Sequence, residues 1–323
     1  MKRIGVMTSG GDAPGMNACL RAVVRTAIHH DLEVVGIYRG YEGMIDGNFL
    51  KMDRHSVSNI IQRGGTILKT SRSERFRTEE GRQLAYNRLK EAGVEGLVVI
   101  GGDGSYAGAQ AFYQQTKMPV VGVPGTIDND LYGTDYTIGY DTALNTAVDA
   151  IDKIRNTADS HNRLFIVEVM GRDAGFIALN CGIAGGAEAV LIPETPTYID
   201  QIISKLETGW RHNKTSSIII VAEGDDSGGA MEVKTKINET FSEYDTRVVI
   251  LGHVQRGGVP SCRDRVMASR LGHAAVETIM DGLTNLAVGI RNNKIVHTSF
   301  TKATKLNQEM DLTMFELVDI LSG

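Results

Sequence analysis

A chain of 323 residues, 42% hydrophobic and 23% charged, has the composition of a globular protein long enough for two domains. Its 34 Lys and Arg against 39 Asp and Glu leave a net charge of −5, which excludes a global pull toward nucleic acid or an anionic membrane; any anion site must be a local cluster of Arg. No apolar run reaches the ~18–20 residues of a membrane span, and the first residues lead into a strand-like segment rather than a signal peptide. Cys19, Cys181 and Cys262 are too scattered for a metal site and fit packed thiols in a reducing cytosol, so a cytoplasmic location is expected.

Short apolar runs then alternate with longer amphipathic ones. The pattern predicts a strand over 3–8, a helix over 14–30, a strand over 33–38, a helix over 79–92, a strand over 96–100, a helix over 104–116 and a strand over 119–123. It continues with a helix over 141–158, a strand over 164–170, a helix over 173–184, a strand over 188–193, a helix over 199–211, strands over 217–223 and 247–252, and a helix over 263–281. A hairpin of 286–290 and 294–298 turns on Asn residues. Alternating β and α elements, with strands apolar throughout, predict an α/β protein of mainly parallel sheets wrapped by helices.

Polar motifs follow the strands: 9-SGGDAPG-15, 39-RGYEG-43, 101-GGDGS-105, 124-PGTIDND-130, 170-MGR-172, 222-AEG-224 and 252-GHVQRGG-258. In doubly wound folds, ligands bind outside the carboxyl ends of the strands, so these motifs should face a ligand. SGGDAPG has the glycine spacing of a Walker A loop, but Met16 and Asn17 stand where Lys and Ser/Thr belong. It reads equally as a phosphate cradle or as a tight turn with Asp12 capping the helix. In GGDGS, Gly101, Gly102 and Gly104 leave the backbone bare beside Asp103, which suits Mg²⁺ shared with phosphate oxygens or, alternatively, an N-cap.

PGTIDND sets Asp128 and Asp130 two residues apart, with Asp135 and Asp141 soon after, although like charges repel. Phosphoryl transfer needs a metal, positive charge and a base for the hydroxyl proton; two such carboxylates can divide that labour. An Asx-turn loop is the plainer alternative. Arg72, Arg163, Arg172, Arg247 and Arg256 could bind phosphate bidentately. His253 is a candidate hydrogen-bond donor to a substrate or a packing histidine. Arg21 and Arg25 fall i, i+4 on one helix face, a mild cost that a bound anion would reverse.

Taken in order and spacing, TSGGDAPGMN, VVIGGDGS, PGTIDND, IGYDTALNT, MGR and LGHVQRGG resemble the bacterial ATP-dependent phosphofructokinase family over nearly the whole chain. GGDG alone also occurs in NAD kinases and lipid kinases; the set together is specific. The resemblance implies two doubly wound α/β domains: an ATP-binding one over 1–139 plus 256–304, and a fructose 6-phosphate-binding one over 140–255 plus 305–323. It implies transfer of the ATP γ-phosphoryl to the 1-hydroxyl of fructose 6-phosphate in glycolysis. Asp128 would be the general base, Asp103 would hold Mg²⁺ with Asp130 contributing, and Thr126 and Arg172 would steady the moving group.

By the same resemblance Gly11, Tyr41, Arg72, Ser73, Gly102, Asp103, Gly104, Ser105 and Gly108 would line the ATP site. Met170, Gly171, Glu223, His253 and Arg256 would hold the sugar phosphate, with Arg163 and Arg247 reaching in from a neighbouring subunit of a homotetramer. Pyrophosphate-using members resemble GGDDS and PKTIDND; Gly104 and Gly125 therefore imply ATP. An ADP or phosphoenolpyruvate effector would meet Arg21, Arg25, Arg54, Arg155, Gly186, Glu188 and Lys214. Asn59, His212, Thr215 and Ser216 depart from the family pattern there, and fewer firm positive charges imply a blunted response. Another kinase of the GGDG superfamily, and a catalytically dead nucleotide-binding regulator, are the alternatives. The TIDND loop and the fructose-phosphate residues count against the first, and Asp103, Asp128 and Arg172 against the second.

Overall fold

The computed structural model describes residues 1–160, 163–211, 216–241 and 245–322. The chain divides into two compact units. The first comprises Met1–Ile127, Leu131–Thr142 and Arg256–Gln308; the second comprises Asp128–Asp130, Ala143–Gln255 and Glu309–Gly323.

In chain order the first part runs β1 (Arg3–Thr8), α1 (Met16–His29), β2 (Glu33–Ile37), α2 (Gly40–Asp46), β3 (Phe49–Met52), α3 (Glu79–Glu91), β4 (Gly96–Gly101), α4 (Asp103–Thr116), β5 (Val120–Thr126), β6 (Ile138–Gly139) and α5 (Tyr140–Asp159). The chain continues with β7 (Arg163–Val169), α6 (Phe176–Gly185), β8 (Ala189–Leu191), α7 (Ile199–Arg211), β9 (Ser217–Ala222), α8 (Ala230–Thr240) and β10 (Asp245–Ile250). It ends with α9 (Cys262–Met280), β11 (Leu286–Arg291), β12 (Lys294–Ser299), α10 (Phe300–Ala303) and α11 (Thr313–Leu321).

The first unit carries a sheet of order β12-β11-β5-β4-β1-β2-β3, with β6 pairing β5. β1, β2, β4, β5 and β11 run parallel, and their buried runs, such as the fully buried 96-GLVVIG-101, account for the absence of a polar alternation in the sequence. The hairpin β11–β12 turns on Asn292 and Asn293, at φ 48° and 61°, the left-handed pair that such a two-residue turn needs. The chain starts at β1, passes to β2 on one side and later to β4 on the other. The topological switch point therefore lies between β1 and β4, where SGGDAPG and GGDGS emerge. Helices α1 and α9 pack closely because Gly272 has no Cβ; one there would sit 2.6 Å from the Cys19 carbonyl oxygen.

The second unit has a wholly parallel sheet of order β10-β7-β9-β8. Its core combines Leu164, Ile166, Ile219 and Val221 from the sheet with Ile203, Leu206, Val233 and Ile237 from helices. Several elements differ from expectation. The segment 39–43 enters helix α2 rather than staying a loop, and β3 adds an antiparallel edge strand too short to stand out. The strand predicted over 188–193 shortens to Ala189–Leu191, and α8 and α11 escaped the reading.

Candidate active site

In the first unit, three motifs meet at the carboxyl ends of the adjacent strands β1, β4 and β5. A Cβ on Gly101 would lie 2.5 Å from the Ser9 carbonyl oxygen and 2.4 Å from Ser105 Oγ, while one on Gly102 would lie 3.6 Å from Thr126 Cβ. A side chain at 101 would drive these loops apart, so Gly101 is a condition of their convergence, whereas Gly102 leaves only ordinary contact with Thr126. Gly10 adopts φ 84°, another conformation that favours glycine. Beside Gly104 no atom lies within 4 Å of where a Cβ would be, so GGDGS presents open space next to Asp103. Gly15 and Gly102 occupy the N-cap positions of α1 and α4, which answers the capping alternatives for Asp12 and Asp103. Both helix N-termini direct partial positive charge toward these loops.

The other residues expected around a nucleotide split into two groups. Tyr41 is buried, stacks on Phe76 at 4.0 Å between ring centroids, and donates its hydroxyl to the Ser105 carbonyl at 2.5 Å. Burial pushes that phenol well above its ordinary range, so it stays a neutral donor. It also lies against Gly108, where a Cβ would come within 2.9 Å of the ring. Ser73 donates to Glu42 and accepts from the Phe76 N–H, so it holds a local turn; Arg72 is exposed. Segment 63–67 is tied to α1 by Asn17, whose amide donates to the Arg63 and Gly64 carbonyls and accepts from the Ile67 N–H at 2.8 Å. This anchoring is what Asn17 does in place of a Walker hydroxyl. Arg256, expected at the sugar phosphate, belongs to the first unit: its Nη1 donates to the Asp12 carbonyl at 3.4 Å and lies where a side chain on Gly11 would go.

In the second unit the turn after β7 is held by side chains. Gln255 Oε1 accepts from the Met170 N–H at 3.3 Å, and Glu223 Oε1 accepts from Gly171 and Arg172 at 3.3 and 2.8 Å. The Glu194 carboxylate accepts from the Gly175 N–H, the N-cap of α6. Arg172 itself has φ 57°, a costly conformation for a residue with a side chain and one that such bracing sustains. Gln255 and Glu194 were not legible as site residues, since one sits inside a motif named for its basic residues and the other in an unremarkable turn. Asp128 and Asn129 are buried and Asn129 is left-handed at φ 56°. His253 is exposed.

Arg163 and Arg247 are not brought to these residues within one chain. Arg163 opens β7, and Arg247 stands at the same end of β10, whereas Met170 to Arg172 follow the far end of β7. Six strand steps separate Arg163 from Val169, about 20 Å at ~3.3 Å per residue. Both guanidiniums share Asp245, which accepts from Arg163 Nε at 3.2 Å and from Arg247 Nη2 at 2.7 Å. These bonds, Arg247 foremost, hold the Asp245 carboxyl below the usual carboxylate range.

The effector candidates fall into two sets. In the first unit, Arg21 and Arg25 face one side of α1, and burial followed by repulsion from Arg25 lowers the Arg21 pKa; Arg54 is exposed in a turn. In the second unit, Arg155 donates to the Gly185 and Gly186 carbonyls, and Gly186, at φ 62°, ends α6 just before the buried Glu188. Lys214, His212 and Thr215 lie outside the described residues.

Glycine loops at a switch point with a carboxylate among them, and a braced arginine turn after a parallel strand, define an α/β protein built to handle phosphoryl groups. The chain belongs to the phosphofructokinase family, whose profile matches residues 3–279. It is 55% identical over 322 residues to "ATP-dependent 6-phosphofructokinase 2" of Bacteroides thetaiotaomicron, covering 100% of this chain and 99% of that one. It is 56% identical to the "ATP-dependent 6-phosphofructokinase" of Halalkalibacterium halodurans, with 100% of both chains covered. Phosphofructokinase from Saccharomyces cerevisiae has the same fold, with a TM-score of 0.89 at 39% identity over 100% of this chain; this chain spans 48%, about half, of the yeast chain. Among the described residues no helix is long and apolar enough to cross a membrane.

Proposed function

We propose that the protein transfers the γ-phosphoryl group of ATP to the 1-hydroxyl of fructose 6-phosphate, giving fructose 1,6-bisphosphate and ADP in the cytoplasm. The observation that carries this reading is the convergence of SGG, GGDGS and PGT at three adjacent strand ends, with open space at Gly104. Full-length similarity to ATP-dependent 6-phosphofructokinases supports the donor and the acceptor. The first unit would act as the ATP-binding domain and the second as the fructose 6-phosphate-binding domain.

Asp128 would take the proton of the 1-hydroxyl as it attacks, and Thr126 and Arg172 would steady the moving group. Arg172 keeps its charge at every working pH, and its braced turn spares it reorganisation as the reaction proceeds. Gly171 and Met170 would pass close to the sugar phosphate, with Glu223 and Gln255 respectively fixing their backbone. Asp103, beside the open space at Gly104, fits Mg²⁺ carried in by a nucleotide, since Mg²⁺ is typically bound by one or two carboxylates plus phosphate oxygens. Held there, Mg²⁺ would supply positive charge to offset that of the phosphates.

The placement of Arg163 and Arg247 at the other end of their sheet supports their serving the sugar-phosphate site of a neighbouring subunit, within a homotetramer. Arg21, Arg25, Arg54, Arg155, Gly186, Glu188 and Lys214 would receive an anionic effector, ADP or phosphoenolpyruvate, with a blunted response. Turnover against a panel of phosphoryl donors and sugar phosphates tests the proposal. ATP with fructose 6-phosphate should exceed every other pair; a preference for NAD or a lipid, or no turnover at all, would overturn it.

A further inference from the structure

Asp264 is fully buried in the first turn of α9, yet it belongs to none of the motifs that carry the chemistry. Its Oδ1 accepts from the Gly139 N–H at 2.9 Å; its Oδ2 accepts from the Thr142 N–H at 2.8 Å and from Thr142 Oγ1 at 2.5 Å. Thr142 Oγ1 accepts in turn from the Ser261 N–H at 2.9 Å, and Ser261 Oγ donates to Asp141 at 2.5 Å while accepting from the Asp264 N–H at 3.1 Å. Every polar atom of the Asp264 carboxylate is thus engaged from two other elements.

Those partners close the acidic loop. The chain leaves β5 at Thr126 and returns at β6, where Gly139 pairs in register with Thr126. Thr137 Oγ1 donates back to the Thr126 carbonyl at 2.6 Å, so the excursion carrying Asp128 and Asp130 starts and ends at one point. Gly139, at φ 104°, is wedged there: a Cβ would lie 2.7 Å from Ala13 Cβ. Gly15, at φ 106°, lies on the same spot, where a Cβ would approach Ile138 to 2.7 Å and Asp264 Cβ to 3.6 Å. Asp264 therefore fastens the closure of the acidic loop where that closure abuts the first glycine loop.

We propose that Asp264 is a positioning residue for phosphoryl transfer, acting through Gly139 and Thr142 to fix the base of the loop that carries Asp128. This rests on the reading of the protein as an ATP-dependent 6-phosphofructokinase. A carboxylate can accept from Gly139 and Thr142 at once. An amide of the same size has one accepting oxygen, so it turns an NH₂ toward one of these donors and opens the closure.

The test compares wild type, Asp264→Asn, Thr142→Val and Thr142→Ser with saturating ATP and fructose 6-phosphate, well below the melting temperature of each. Rates are expressed per folded protomer, and exchange of the Gly139 and Thr142 amides is followed alongside. Asp264→Asn should lower kcat at least tenfold, with KM for both substrates within about threefold and faster exchange at both amides. Thr142→Val should lower kcat less, and Thr142→Ser should restore it. If Asp264→Asn does not fold, Thr142→Val against Thr142→Ser decides alone. Wild-type kcat per folded protomer in Asp264→Asn or Thr142→Val, whatever the loss of melting temperature, would reduce the network to a fold support and overturn the proposal. An inactive wild type would instead overturn the functional reading.

Discussion

The two units build their strand ends by opposite means. In the first, the strand ends offer backbone: Gly101, Gly102 and Gly104 remove side chains so that loops meet and space remains. In the second, the strand end offers one arginine on a left-handed residue, and Glu223 and Gln255 are spent on holding its turn. Bare backbone suits a large ligand that must lie close to the chain, whereas a braced guanidinium suits a single group whose charge must be met at one place. The difference teaches that glycine motifs name the first kind of site directly, whereas the second kind depends on side chains far away in sequence.

That contrast can be broken at several points, the severest change being at the proposed base. Asp128→Ser removes the proposed base and should lower kcat by ~10²–10⁴-fold, with a smaller change in fructose 6-phosphate affinity. Near-normal kcat in steady-state assays would show that the proton goes elsewhere. On the backbone side, Gly104→Asp enters open space, so its effect should be electrostatic rather than steric. A carboxylate beside the phosphates costs on the order of a few kcal/mol, or about 10²-fold in kcat/KM for ATP, with the melting temperature nearly unchanged. Unimpaired use of ATP would mean that the phosphates lie elsewhere.

On the arginine side, Arg163→Ala should raise KM for fructose 6-phosphate about 10–10²-fold, from one lost charge-assisted contact of ~1.5–3 kcal/mol. Mixed with Asp128→Ser protomers and reassembled at low fructose 6-phosphate, it should regain activity, because some sites would then draw only intact groups. Failure to complement would place Arg163 and Asp128 in one chain's site, against the proposed sharing between subunits.

The smallest effect concerns Asp245, whose carboxyl is lowered by its arginine partners. A depressed carboxyl contributes stability above the ordinary carboxylate range and loses it as pH falls through the lowered value. Asp245→Asn should therefore flatten the acid limb of the stability curve slightly, since exposed pairs contribute little. An unchanged acid limb in urea titrations at several pH values would show that the pairing has no energetic weight.

Much of this was legible because the period of the sequence matched the buried parallel strands, and because glycine is required where loops touch. The switch point between β1 and β4 follows from order alone once the sheet is known. Other features depend on contacts that spacing does not encode. Gly40–Asp46 follows Arg39 at φ 64° and reads like a loop, yet it forms a helix. Arg256 shares a motif with His253 but lies against Gly11. Asp264 reads as an ordinary acid near a helix start. The Ser261-x-x-Asp264 spacing of a capping box was the one available signal, and it points to the helix rather than to Gly139.

The central claim is that ATP and fructose 6-phosphate react here through Asp128. Phosphorus NMR of the product mixture, with wild type and Asp128→Ser side by side, tests it most directly. The account predicts ADP and fructose 1,6-bisphosphate in equal amounts from the wild type, with formation slowed by at least ~10²-fold in the variant. Inorganic phosphate in place of the bisphosphate, or equal rates from the two proteins, would contradict it.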